Sequence, residues 1–189
     1  ETALLAWEMN DEPLTHTHGG PLRMVVPGYY GVNNVKYVKN VAFTENQTDA
    51  KIQASGYRVR DVGVKGAPDQ PSMWEMNVKS WVTSPLESGQ NGRNMIYGVA
   101  FGGTVPLEKV DVSVDGGKTW KQARFLGPDL GPYAWRPFVL AADLAAGEHR
   151  IVSRATDVQG NTQPEGRTEN ERGYGHNGWS DHGVTVAIS

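Results

Sequence analysis

The run His18-Gly19-Gly20-Pro21-Leu22-Arg23, continuing through Val26-Pro27-Gly28-Tyr29-Tyr30-Gly31-Val32-Asn33-Asn34-Val35-Lys36, gathers the residue types that grip an anion. Glycines let backbone N–H groups approach an oxyanion, and Arg23 and Lys36 offer charge-assisted hydrogen bonds to phosphate. The same letters also describe a strand, a tight turn and a second strand, with Arg23 and Lys36 solvated and His18 in a loop. Tyr57, within Ser55-Gly56-Tyr57-Arg58, is a lone aromatic in a polar stretch. Arg172-Gly173-Tyr174-Gly175-His176-Asn177-Gly178-Trp179 is a glycine-rich loop with Trp179 as a packing residue. Arg58, Arg60 and Arg167 read as surface charges. With no cysteine and no paired histidine spacing, His16 and His176 do not make a zinc site.

These groups need elements to hold them. Leu22–Val26 is strand-like before Pro27-Gly28, and Val35–Phe43 alternates in part and is expected to form a second strand. Residues 44–75 are polar and end in Gly66-Ala67-Pro68-Asp69-Gln70-Pro71, a connector with a boundary near residue 70. From Trp74 onward short strands recur: Asn77–Thr83, Asn94–Phe101, Val110–Val114, Thr119–Ala123, Ala134–Leu140, His149–Asp157 and Val184–Ile188. Ala141–Gly147 is too short to be a stable helix by itself. About seven strands without a convincing helix indicate a two-sheet sandwich. The 23 glycines and 11 prolines among 189 residues suit that turn-rich architecture.

Ser113-Val114-Asp115-Gly116-Gly117-Lys118-Thr119-Trp120 fits the Asp-box hairpin of sialidase propellers. Propellers carry several copies, and this sequence has one in a chain too short for a propeller. The hairpin is therefore assigned to structure, with Asp115 capping the turn, the glycines at positive φ and Trp120 packed inward. A formal charge of −3 supplies no basic excess for nucleic acid, and no apolar run reaches membrane-spanning length. The chain opens at Glu1, directly in the apolar Leu4-Leu5-Ala6-Trp7, as expected of a piece of something longer.

Trp7-Glu8-Met9-Asn10-Asp11-Glu12-Pro13-Leu14, then His18 to Arg23, then Val25-Val26-Pro27-Gly28 with Gly31 and Val35-Lys36, resemble in order and spacing the molybdopterin domain of sulfite oxidases and eukaryotic nitrate reductases. Asp11 stands for the usual Gly, Gly20 for a larger residue and Tyr37 for the usual Trp; none removes a proposed contact. The hairpin and the Arg172–Trp179 run resemble the same family. The resemblance implies a mainly β chain: a partial sulfite-oxidase-type molybdopterin domain at 1–70, followed by an immunoglobulin-like (E-set) β-sandwich at 71–189 that serves dimerisation.

It further implies that His18 and Arg23 contact a molybdopterin-type molybdenum cofactor, and that the Asn34-Val35-Lys36 turn holds the cofactor's phosphate end. Tyr57 falls about twenty residues beyond the Val-Lys pair, where the family places a tyrosine whose protonated hydroxyl donates beside the metal. Arg172 becomes the cation that draws in sulfite, its planar fork suiting such oxyanions. The family's metal-ligating cysteine is expected upstream of this chain, in a missing N-terminal portion of the molybdopterin domain, which would leave the chain alone catalytically incomplete. The expected partners are sulfite, that missing portion, a cytochrome c-type acceptor and a second copy in a homodimer, with no nucleic acid and no membrane span. The expected location, by analogy, is the periplasm. A nitrate reductase of the same family and a non-catalytic immunoglobulin-like binding module are the rival readings.

Overall fold

The computed structural model describes residues 3–189. These fall into two compact units: residues up to Met76 together with Glu169–Gly175, and Asn77–Thr168 together with His176–Ser189.

The first unit has little regular structure. β1 (Leu4–Ala6), β2 (Glu8–Met9) and β3 (Glu12–Pro13) precede a 3₁₀ turn at His16–His18 and β4 (Arg23–Val25). β1 pairs antiparallel with β4, setting Ala6 against Arg23, and β2 pairs with β3. No strand forms over 35–43. Tyr37 sits at φ 58°, a left-handed conformation that interrupts an extended run, and Phe43 lies fully in solvent. What remains of a ladder is Val35 O accepting from Met24 N and Leu22 O accepting from Val38 N. The polar stretch beyond it carries one π-turn, Ile52–Gly56, and is closed by bridges from Tyr29 to Glu75 and from Arg58 to Ser72.

In the second unit the strands are long enough to show their alternation. They are β5 (Lys79–Ser84), β6 (Ser88–Gly89), β7 (Gly92–Phe101), β8 (Leu107–Ser113), β9 (Lys121–Gln122), β10 (Arg124–Phe125), β11 (Arg136–Leu144), β12 (Gly147–Asp157) and β13 (Val184–Ile188). They form two sheets, β10-β11-β7-β5 and β6-β13-β12-β8-β9, antiparallel apart from the β13–β6 pair. Along β7 the side chains of Ile96 and Ala100 turn into the core while Met95 and Tyr97 face outward, the period-2 signature of a half-buried strand. The core joins both sheets through Val82, Ile96, Phe138, Leu144, Val110, Val112, Ile151 and Val186. Each such side chain contributes roughly 1.5–3 kcal/mol by leaving water. Gly98 lies opposite Phe138, and a Cβ there would collide with the Phe138 ring, so the glycine is what admits that ring. The Ala141–Leu144 stretch, short for a helix, completes β11 as strand against Gly92–Met95.

The 115–117 hairpin has the expected anatomy. Asp115 Oδ1 accepts from the Lys118 and Thr119 amides and from Ser113 Oγ, and Oδ2 accepts from Thr119 Oγ1 at 2.6 Å. Donation from the Thr119 hydroxyl, then from Ser113 and the amides, holds its carboxyl well below the usual carboxylate range. Gly116 and Gly117 take φ 75° and 95°. The Trp120 ring meets Trp179 edge-on at 5.1 Å, with the Arg154 guanidinium 4.3 Å from its centroid.

A buried polar knot closes the sandwich. Gln163 Oε1 accepts from Ser80 Oγ at 2.6 Å and from Ala155 N at 2.9 Å, while Gln163 Nε2 donates to Asn177 O. Asn177 Nδ2 donates in turn to Val78 O. The two ends of the 164–176 excursion, which carries Arg172, are therefore pinned by one amide.

Candidate functional site

The 3₁₀ turn at His16–His18 exists because Thr15 caps it, its hydroxyl accepting from His18 N and sharing a 3.0 Å hydrogen bond with His18 Nδ1. Gly19 ends the turn at φ 99°, where an added Cβ would lie 2.7 Å from Lys36 Cγ and 2.9 Å from Lys36 Cβ. At Gly20 the Cβ would collide with Leu14 O. Both glycines are therefore required by close approach of neighbouring chain.

Two cations close on this turn. Lys36 Nζ donates to Thr17 O at 2.6 Å, and Arg23 Nη1 donates to His18 O at 3.2 Å. Consecutive carbonyls thus anchor Lys36 and Arg23 on one small loop, with the His18 imidazole on the same loop and exposed. Arg23 Nε is enclosed and has no hydrogen-bond partner among the described residues. An unpaired buried N–H costs stability unless something accepts from it.

Asn34 and Val35 stand differently. The Asn34 side chain is fully engaged inside the protein: Oδ1 accepts from Val26 N at 2.8 Å, and Nδ2 donates to Tyr29 O and Tyr30 O. Asn34 therefore braces the turn and has no side-chain donor left over. Val35 is half exposed, and its carbonyl is taken by Met24 N. Of the 34–36 turn, only Lys36 brings a charged donor.

Tyr57 follows the π-turn and donates its N–H to Ile52 O. Its carbonyl accepts from Met73 N, and its ring stacks on Tyr174 with centroids 5.5 Å apart and planes 19° apart. Arg172 lies in the segment that rejoins this unit. Its amide donates to Asn170 Oδ1, and its exposed guanidinium makes no hydrogen bond or ion pair with the described residues. Neighbouring Glu171 is spent elsewhere: its amide donates to Arg60 O, and Gly63 N donates to its Oε2 at 2.6 Å.

Arg58 is not a surface charge. It is 5% exposed and donates from Nε to Gln53 O, from Nη1 to Gln70 O and from Nη2 to Gln47 Oε1. It buckles the long polar stretch into the loop that presents Tyr57. Its partners lie 5, 12 and 11 residues away with no periodic pattern, so nothing local in the sequence announced it. Arg60 likewise donates to Val64 O and Arg58 O. Arg167 belongs to the second unit, where the Asp181 carboxyl is held low first by its hydrogen bond with His176 and, more weakly, by the charges of His176 and Arg167. Sequence reasoning also passed over Asn170 and Tyr174. Tyr174 lay in the recognised run, two residues beyond Arg172.

His16 stands 4.8 Å from the Tyr37 ring. His176 Nε2 bonds Asp181 Oδ2 at 2.9 Å, and its ring lies 4.9 Å from that of His182. Among the described residues no three His, Asp or Glu side chains gather as metal ligands. No helix among them is long and apolar enough to cross a membrane.

What this donor set suits is a polyanion. It offers an arginine with an enclosed free N–H, a lysine with two further ammonium protons, an exposed imidazole and a turn stripped of Cβ atoms. That chemistry fits a phosphate-bearing pterin.

Residues 1–52 match the oxidoreductase molybdopterin binding domain, and residues 70–188 match the Mo-co oxidoreductase dimerisation domain. The sequence is 36% identical to mitochondrial sulfite oxidase of Homo sapiens over 98% of its own length and 36% of that protein's. It is 31% identical to inducible NADH nitrate reductase 1 of Glycine max, over 93% of the chain and 23% of the reductase. The crystal structure of the sulfane dehydrogenase SoxCD from Paracoccus pantotrophus superimposes on the whole chain with a TM-score of 0.82 at 31% identity, covering 51% of that chain. The chain spans about a third of the length of the sulfite oxidases it matches.

Proposed function

Because the chain belongs to the sulfite oxidase family of molybdopterin oxidoreductases, in which a molybdenum cofactor is bound, we propose that it forms the cofactor's anionic edge and the substrate-attracting side of a sulfite-oxidising site. The observation that carries this reading is the convergence of Lys36 and Arg23 on consecutive carbonyls of the Thr17–His18 turn. The unit made of residues up to Met76 with Glu169–Gly175 contributes the cofactor edge and the substrate side, and Asn77–Thr168 with His176–Ser189 the dimerisation sandwich of a homodimer.

Arg23 and Lys36 hold the pterin and its phosphate, and His18 adds an imidazole contact from the same loop. Fixing these donors beforehand avoids reorganisation when the anion arrives. Asn34 and Val35 act through backbone shape, Asn34 by tying the Val26–Tyr30 turn. When bound, the molybdenum centre supplies oxygen-atom transfer chemistry. A thiolate ligand of the kind the family resemblance implies would have to come from outside these 189 residues, which contain no cysteine, and the chain alone would then be catalytically incomplete. Arg172, exposed and without a carboxylate partner, draws sulfite in. The Tyr57 hydroxyl donates a hydrogen bond to the bound oxyanion. The acceptor such a site would serve is of the cytochrome c type, in a periplasmic setting.

The test is molybdenum content. Replacing Arg23 and Lys36 together by methionine should strip most molybdenum from the purified holoenzyme while the sandwich stays folded. Full retention of the metal would remove these residues from the cofactor site.

A further inference from the structure

Tyr174 has no role in the reading above, yet it makes the ring contact with Tyr57. The rings stack at 5.5 Å with a 19° interplanar angle, an offset-stacked arrangement. Tyr174 is itself fixed by Asn170, a buried residue whose Oδ1 accepts from Tyr174 N at 2.8 Å and whose Nδ2 donates to Tyr174 O at 2.8 Å. The same Oδ1 accepts from Arg172 N at 3.3 Å. One amide side chain thus sets the backbone under both the arginine and the stacking ring. Glu171, between them, is anchored on Arg60 O and Gly63 N, so it fastens the loop without neutralising Arg172.

We infer that Tyr174 is a positioning residue: its ring, stacked on Tyr57, couples the phenol to the loop that carries Arg172, so that both face one oxyanion in a fixed relation. This rests on the assignment of Tyr57 and Arg172 to the substrate side of the site. Tyr57 is 39% exposed, and its backbone bonds to Ile52 O and Met73 N fix its main chain without fixing the rotation of its ring. The second ring supplies that constraint, and the Tyr174 hydroxyl is not needed for it.

Sulfate, a tetrahedral oxyanion of the product's class, is the probe. Its dissociation constant is measured by calorimetry on the molybdenum-loaded holoenzyme, alongside sulfite kcat and KM, for the parent, Arg172→Gln, Tyr174→Leu and Tyr174→Phe. Tyr174→Leu should weaken sulfate binding and lower kcat/KM by roughly three- to tenfold, the range of a lost aromatic pair. Tyr174→Phe should stay within about twofold of the parent, since stacking survives. A leucine variant that matches the parent while Arg172→Gln is impaired would overturn the inference and leave the site assignment standing. A phenylalanine variant as impaired as leucine would also overturn it, by placing the role in the hydroxyl. An Arg172→Gln protein unchanged in both readouts would overturn the site assignment and this inference with it.

Discussion

Substituting Gly19 by alanine perturbs the proposed cofactor edge at its tightest point. Gly19 holds φ 99°, a region that costs a residue with a Cβ about 1–2 kcal/mol. The new methyl group would also stand 2.7 Å from Lys36 Cγ, 2.9 Å from its Cβ and 3.2 Å from its Cα. These atoms belong to the root of the side chain and to the backbone, so the clash cannot be relieved by swinging a flexible tip. Relief means displacing Lys36 from Thr17 O, or stretching the 3.1 Å bond from Tyr37 N to Gly19 O. Overpacking of this kind adds about 1–3 kcal/mol, for a total of roughly 2–5 kcal/mol. Against an ordinary folding stability of about 5–15 kcal/mol, that is a large loss. Gly31→Ala is the internal control, because nothing lies within 4 Å of a Cβ built there. Urea unfolding and molybdenum content of both variants decide the matter. Gly19→Ala should lose stability and metal together, while Gly31→Ala stays within about 0.5 kcal/mol of the parent. Equal behaviour of the two variants would refute the close-approach argument.

Gln163→Leu removes the acceptor for Ala155 N and Ser80 Oγ, and should destabilise the sandwich by about 2–4 kcal/mol in urea unfolding. It should also increase proteolysis within 164–176, because Asn177 O loses its donor. Acid should weaken the second unit. Burial, then the charges of Lys79 and His176, hold His182 below its usual value despite Asp181, so protonation favours the unfolded chain. Its contribution is complete above about pH 6.5, the unfolded value, and is lost as pH falls through the lower folded value. The thermal midpoint should therefore drop on lowering the pH from about 7.5 to 5, and His182→Gln should flatten part of that drop. A His182→Gln profile identical to the parent's would exclude this origin.

The sandwich was legible because its strands are long enough to show their period. β7 and β12 alternate or run apolar in plain view, and β13 matches its expected bounds at Val184–Ile188. The Asp115 hairpin was legible because turn chemistry is local: its hydroxyl and amide donors all lie within four residues. The first unit was harder. The partial alternation of Val35–Phe43 suggested a strand that the left-handed Tyr37 prevents. Arg58 was misjudged as surface because its three acceptors come together only after the polar stretch has folded around it. Residue type marked Arg23 and Lys36 as anion-binding groups, and the family resemblance added His18. That Lys36 and Arg23 land on neighbouring carbonyls is a property of the Thr15-capped turn, with Gly19 at its end. Tyr174 escaped notice because a stack across 117 positions of sequence leaves no spacing to read.

The most direct measurement is the electron donor used by the molybdenum-loaded holoenzyme. Sulfite should reduce ferricytochrome c in proportion to bound molybdenum, with nitrate neither required nor consumed. Molybdenum-replete protein that leaves sulfite untouched and reduces nitrate would contradict the account.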